Sequence, residues 1–163
     1  MNLKEKFFDI FKMYVEKKSS KKKISKTLKK LLPYEIDTPL IRLGEKNDGG
    51  YLVPDDFVGI DKNYSAGVGF LTQFEKDLEE KYLIKSNMLD FNEIEKTILP
   101  SKALFLKKKL GLVSNNQEIS INDWIIPDDK DTILKLDIEG DEYASLIDIS
   151  EENLKKVRIL VIE

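Results

Sequence analysis

The sequence predicts an α/β fold: a mostly parallel sheet with helices on both faces, preceded by a basic helical arm. Three observations carry this. From residue 61 onward, apolar runs of strand length alternate with helical stretches, the pattern of βα units joined by right-handed crossovers. The run Ile133, Leu134 and Leu136 has the apolar character of a strand buried on both faces. Charge is also segregated: residues 1 to 32 hold eleven lysines against three acids, while the remainder holds 16 basic and 27 acidic residues.

In the arm, Phe7, Phe8, Ile10, Phe11, Tyr14 and Val15 recur at spacings of three and four with lysines opposite, which predicts an amphipathic helix. Lys17 to Lys23, broken by two serines, reads as an exposed connector. Leu28, Leu31 and Leu32 make a second helical stripe that Pro33 helps to end. Such an arm can cover a core, link to another unit or rest on an anionic membrane surface. Two domains are expected: the arm at 1–32 and an α/β domain at 33–163.

Residues 34 to 60 are rich in proline and glycine and predict loops with short extended pieces. Asp48-Gly49-Gly50 is a turn signal leading into a strand at Tyr51-Leu52-Val53, as in a hairpin. Beyond it, the first strand of the alternation is expected at Tyr64 to Val68. Thr72 and Glu75 have capping-box spacing ahead of a helix with Phe74, Leu78 and Tyr82 on its inner face. A second strand is expected at Leu83 to Leu89 with Asp90 at its end. A short helix at Asn92 to Ile98 and a third strand at Ala103 to Leu106 follow. Ser120 can cap a helical turn containing Trp124. The fourth strand is expected at Thr132 to Ile138, central in the sheet. Next comes a helix with Tyr143, Leu146 and Ile147 facing inward. Ser150-Glu151-Glu152 opens another helix, and Val157 to Ile162 is the fifth strand. This order is Rossmann-like.

The 163 residues are enough for one core. No apolar run approaches the length of a membrane span, and lysines and acids interrupt the N-terminus where a signal peptide would be apolar. There is no cysteine, so no disulfide or thiolate metal site is possible, and cytoplasmic residence is the expectation. There is no histidine either, so acid–base work falls to Asp, Glu, Lys or Tyr. An acidic body does not suit a nucleic-acid binder; it suits a cationic ligand.

Ligands of open α/β sheets bind at the carboxyl ends of the strands. Gly67 and Gly69 fall where a glycine turn would let a ligand approach a helix N-terminus, and Asp90 lies where an acid would accept from ribose hydroxyls. Turn geometry alone would also explain the glycines, and helix capping would also explain Asp90. The third glycine of a dinucleotide fingerprint would stand at Thr72 and is absent, which tilts the choice from a nicotinamide dinucleotide toward S-adenosylmethionine. Asp137 and Glu139 end the fourth strand, where they could act as base, orient an acceptor or hold a divalent cation. Capping by strand-end acids, with Asp141 and Glu142 on the helix dipole, is the plain alternative.

Leu134-Lys135-Leu136-Asp137-Ile138-Glu139-Gly140-Asp141-Glu142-Tyr143 resembles the strand-four signature of FkbM-type methyltransferases. Residues 119–125, the terminal Ile159-Leu160-Val161-Ile162-Glu163, Arg42-Leu43-Gly44 and Asn47 to Tyr51 are also similar to that family. The likeness covers roughly residues 40 to 163. It implies an S-adenosylmethionine-dependent O-methyltransferase acting on a hydroxyl of a small molecule or glycan. The cofactor would contact Gly67, Gly69 and Asp90, Asp137 and Glu139 would be catalytic, and no metal site is assigned. It further places the segment at residues 47–51 near the cofactor. The family pattern continues past Ile-Val-Ile-Glu with a Phe-His pair and more sheet. On that pattern the present residues are a fragment or short form, expected to self-associate through an edge carrying Ile159 and Val161 and to lack turnover. The competing reading is a non-catalytic or degenerate αβ module that binds a nucleotide-like ligand or docks a partner.

Overall fold

The computed structural model describes residues 19–30, 32–125 and 130–163. They belong to two compact units that divide between Asp37 and Thr38. In the first, helix α1 (Lys21–Lys30) buries no residue. Its first turn is closed by Ser20, whose hydroxyl accepts from the Lys23 amide at 3.2 Å, so Lys21 to Lys23 of the expected connector belong to the helix. The helix expected at Phe7 to Val15, and Leu31 of the second stripe, lie outside the described residues. No described helix is long and apolar enough to cross a membrane.

The second unit contains hairpin β1 (Leu40–Gly44) and β2 (Gly50–Pro54), then β3 (Lys62–Ala66), α2 (Gln73–Tyr82), β4 (Lys85–Asp90) and β5 (Leu104–Lys107). A small parallel pair, β6 (Lys109–Gly111) and β7 (Glu118–Ser120), precedes α3 (Ile121–Trp124), β8 (Thr132–Leu136), α4 (Glu142–Asp148), α5 (Glu151–Lys156) and β9 (Val157–Ile162). The main sheet runs β5-β4-β3-β8-β9 with every pair parallel. It is a Rossmann-like sheet with helices on both faces. The expected fourth strand, β8, is interior with parallel neighbours, but β3 holds the centre. Chain order reverses between β3 and β8, the topological switch at which such sheets bind ligands.

Each sheet face has its own core. On one, Phe74 and Leu78 of α2 and Leu43 and Val53 of the hairpin pack on Ile133, Ile159 and Val161. On the other, Ile121 and Trp124 of α3 and Ile149 pack on Tyr64, Ala66, Leu134 and Leu136. Tyr64 and Trp124 meet edge to face with centroids 5.4 Å apart.

Several sequence expectations change. Glu75 does not cap α2: it is fully buried, and Thr72 bonds the Ile98 carbonyl instead. Beneath α2, β3 and β8 present polar Asn63, Ser65 and Lys135, which draw Glu75 inward. The 92–98 helix shrinks to one tight turn, Lys96–Ile98: Asp90 takes the Asn92 amide and Glu95 is extended, with φ of −64° and ψ of 131°. In α4, Tyr143 and Ile147 are exposed while Glu142 and Ser145 are buried. The Glu139-Gly140 turn, with φ of 58° and 108°, sets a different helical phase from the one the apolar spacing suggested. Strand β9 is an edge, yet Ile159 and Val161 are buried against the hairpin side; Leu160 and Ile162, on the other face, are exposed. The hairpin covers the face that had been expected to lie open.

Candidate active site at the sheet switch point

Gly67, the residue after β3, has φ of 73°, and a Cβ there would stand 1.6 Å from the Asp137 carbonyl oxygen. Glycine is needed on both counts, because the exits of β3 and β8 approach backbone to backbone. Gly67 donates its amide to the Leu89 carbonyl at 2.9 Å, and Asp137 donates to Ala66 at 3.1 Å, so three strand ends are tied together. Gly69 also has positive φ, 55°, but a Cβ there would meet nothing within 4 Å. It needs glycine for the turn and leaves open space above it.

Asp90 joins that turn to the next loop. Its Oδ2 accepts the Gly69 amide at 2.9 Å and its Oδ1 the Asn92 amide at 2.7 Å, with the residue 8% exposed. A carboxylate offers about four acceptor sites, so each oxygen keeps capacity for a ligand hydroxyl after holding one amide. The alternative role, a cap for a helix near Asn92, is met only as an amide tie, because no helix begins there.

The Asp137–Gly140 turn is anchored from below by Glu142. Its carboxylate accepts from the Ile138 amide at 2.8 Å and the Gly140 amide at 3.0 Å. Burial acts to raise its pKa, but amide hydrogen bonds from its own residue, Gly140 and Ile138 outweigh this and hold it below the usual carboxylate range. Thus anchored, the turn presents Asp137 part-buried and Glu139 exposed. Glu139 sits in the left-handed region, a conformation that costs a non-glycine residue roughly 1–3 kcal/mol and clusters at functional sites.

The hairpin closes the site from the side of α2. Arg42 donates to the carbonyls of Glu45 at 2.9 Å and Asn47 at 2.8 Å, shaping the loop. Asp77 of α2 accepts the Gly44 amide at 2.9 Å and holds the hairpin down. Tyr51 then reaches Asp137, its hydroxyl donating to Oδ2 at 2.9 Å. Burial, with the hydrogen bond and charge of Asp137, pushes the phenol's pKa up, so it remains a donor.

A cleft of about 630 Å³ results, lined by all five residues expected from sequence, namely Gly67, Gly69, Asp90, Asp137 and Glu139. Asp48 and Gly49 of the hairpin, Phe70, Leu71 and Phe91, and Lys108 to Leu110 complete its walls. Of its lysines, Lys109 pairs with Asp141 at 2.7 Å, Lys108 donates to the Asn115 carbonyl at 2.5 Å, and Lys135 faces Glu75 at 3.6 Å. Asp48, Asp90, Asp137 and Glu139 have no lysine or arginine partner among the described residues, so acidic charge in the cleft is left unpaired. No group of three or more described acidic side chains is placed to hold a metal ion.

Sequence reasoning put the 47–51 segment near the site but not the Tyr51–Asp137 bond, and it missed Lys135, Glu75 and Glu142 as parts of the site. Lys135 had a visible signal, as the one charge inside an apolar strand. Glu142 had none, since its position matches that of an ordinary first-turn acid. No protein-family model matches this chain, and comparison with curated proteins and with solved structures likewise gives no match.

Proposed function

We propose that the cleft binds S-adenosylmethionine and that the protein is a methyltransferase of the FkbM type acting on a hydroxyl of a small-molecule or glycan acceptor. The observation that carries this reading is Asp90, held beside the glycine turn with acceptor capacity left over, across the switch point from Asp137 and Glu139. The cleft volume lies within the roughly 300–1,000 Å³ of small-ligand sites.

The donor supplies an electrophilic methyl group on a sulfonium. The chain supplies position and charge. Asp90 accepts from the ribose hydroxyls, and open Gly69 lets the ligand come close to the turn. Phe91, 67% exposed and adjacent to Asp90, offers a flat apolar wall for the base. The carboxylates balance the cationic charge. An acceptor hydroxyl must lose its proton to a group within hydrogen-bond reach, and with no histidine Asp137 and Glu139 are the groups at that end of the cleft. Alignment of acceptor and methyl carbon does most of the remaining work.

Against a dinucleotide, Thr72 stands at the third glycine position and its hydroxyl is spent on the Ile98 carbonyl. Calorimetric titration with S-adenosylmethionine, S-adenosylhomocysteine and NAD tests the reading. Saturable binding of the first two and none of NAD is expected. Preference for NAD, or no binding of the sulfur nucleosides, overturns it. Binding with no turnover on any hydroxyl acceptor would favour the non-catalytic αβ module.

A further inference from the structure

The cleft contains a buried cation whose hydrogen-bonding capacity is unused. Lys135 is 1% exposed yet lines the cleft. Its Nζ stands 3.6 Å from Glu75 Oε1, beyond hydrogen-bond distance, and 5.1 Å from the centroid of the Tyr51 ring. Among the described residues it has no hydrogen-bond acceptor. An ammonium has three N–H donors, and burying one without acceptors is costly. Glu75 offsets the charge. Its Oε1 accepts from the Ser65 hydroxyl at 2.6 Å, and its Oε2 has no hydrogen-bond partner among the described residues. Neither oxygen accepts a hydrogen bond from the ammonium, whose donors remain open to the cleft.

Asp137 lies two residues beyond Lys135, just past the end of β8, and both side chains meet the same residue, Lys135 Nζ over the Tyr51 ring and Asp137 at its hydroxyl. Its Oδ2 is held by Tyr51, and its Oδ1 has no donor among the described residues. A cation with free donors and a carboxylate with a free acceptor therefore stand side by side along the cleft. That juxtaposition suits a ligand carrying an anion and a cation close together, bridged by a hydrogen bond at each end.

We infer that Lys135 and Asp137 form a cradle for a zwitterionic α-amino acid group, the carboxylate on Lys135 and the ammonium on Asp137. This rests on the methyl-donor reading, because S-adenosylmethionine carries such a group. It also divides the two strand-end carboxylates: Asp137 binds the donor, and Glu139, exposed at the cleft mouth, is left to take the acceptor's proton.

The test compares two ligands by calorimetry on the full chain. S-adenosylhomocysteine carries the amino acid group; 5′-methylthioadenosine has the same nucleoside and sulfur without it. The variants are Lys135→Met and the double variant Lys135→Met/Glu75→Gln, which leaves no orphaned buried carboxylate if the single variant fails to fold. In whichever folds, S-adenosylhomocysteine should bind about tenfold or more weakly, as for loss of a charged hydrogen bond, while 5′-methylthioadenosine is unchanged. Equal weakening of both ligands, or of neither, overturns the cradle and leaves the methyl-donor reading standing. If neither ligand binds the unmodified protein, the methyl-donor reading fails. Titration of acetate against the Lys135 Nζ resonance, assigned with the variant, then decides: a saturable shift supports an anion site, and no shift overturns it.

Discussion

The Tyr51 hydroxyl donates to Asp137 Oδ2 at 2.9 Å, joining residues 86 positions apart in sequence. The hairpin is thereby fastened to the switch point of the sheet, and one face of the cleft depends on that bond. The Tyr51 ring is held independently, edge to face on Phe74 at 5.4 Å, so hydroxyl and ring can be separated by mutation.

Tyr51→Phe should keep the fold and lose about 1.5–3 kcal/mol, the range for a hydrogen bond to a charged group. The phenol's pKa is raised in the folded state, so its contribution is complete below the unfolded value of about 10 and fades as pH climbs above it. Urea unfolding from pH 8 to 11 should show the unmodified protein losing stability across the alkaline range more steeply than the variant. Parallel curves would contradict the assignment.

Gly67 and Gly69 make a matched pair for mutation. Gly69→Ala meets open space and costs only the left-handed backbone, about 1–2 kcal/mol. Gly67→Ala adds a clash with the Asp137 carbonyl and should cost about 3 kcal/mol or more. Chemical denaturation of both gives the order, and equal losses would mean the two strand exits are not so closely opposed.

Asp90→Ala removes the acceptor for two amides and the proposed ribose contact. Affinity for S-adenosylhomocysteine should fall by about 1–3 kcal/mol in calorimetry, with a comparable loss of thermal stability. A variant that loses stability but binds as before would confine Asp90 to tying the turn.

Glu142 and Asp77 carry pKa values lowered in the folded state. For Asp77, burial works against the shift, and the Gly44 amide, Gln73 and Lys81 overcome it. Both carboxylates therefore add stability above the ordinary carboxylate range, and that share drains away as pH falls through their folded values. Glu142→Gln should flatten the decline of stability between about pH 5 and 3, around the ordinary pKa of a carboxylate. An unchanged acid limb in thermal melts would show that the amides of Ile138 and Gly140 do not bind the charged form preferentially.

The sheet was legible in sequence because its strands are apolar runs at regular intervals, and the five cleft residues because glycines and acids fell at strand ends. What escaped notice was polar material in buried places. Asn63 and Ser65 made β3 look as though it began at Tyr64, although it starts at Lys62. Their donors are absorbed by Ser86 and Glu75, a solution that depends on α2 crossing above them. Pairwise spacing carries no trace of that crossing. For the same reason Glu75 read as a cap and Glu142 as a first-turn acid on the helix dipole. Tyr143 and Ile147 misled in the opposite direction, because a single left-handed residue upstream rotates the helix that follows.

Because β3 sits at the centre, the pairing of Lys62 with Thr132 closes a long loop of chain. The entropy of that closure must be met before β3–β4 on one side and β8–β9 on the other join into one sheet. Folding is accordingly limited by the meeting of distant segments rather than by local helix formation. The two halves of the cleft, Gly67 from β3 and Asp137 from beyond β8, come into being in that same encounter. A ligand that needs both halves of the cleft would therefore bind only once β3 and β8 have met, so its binding can report on completion of the sheet.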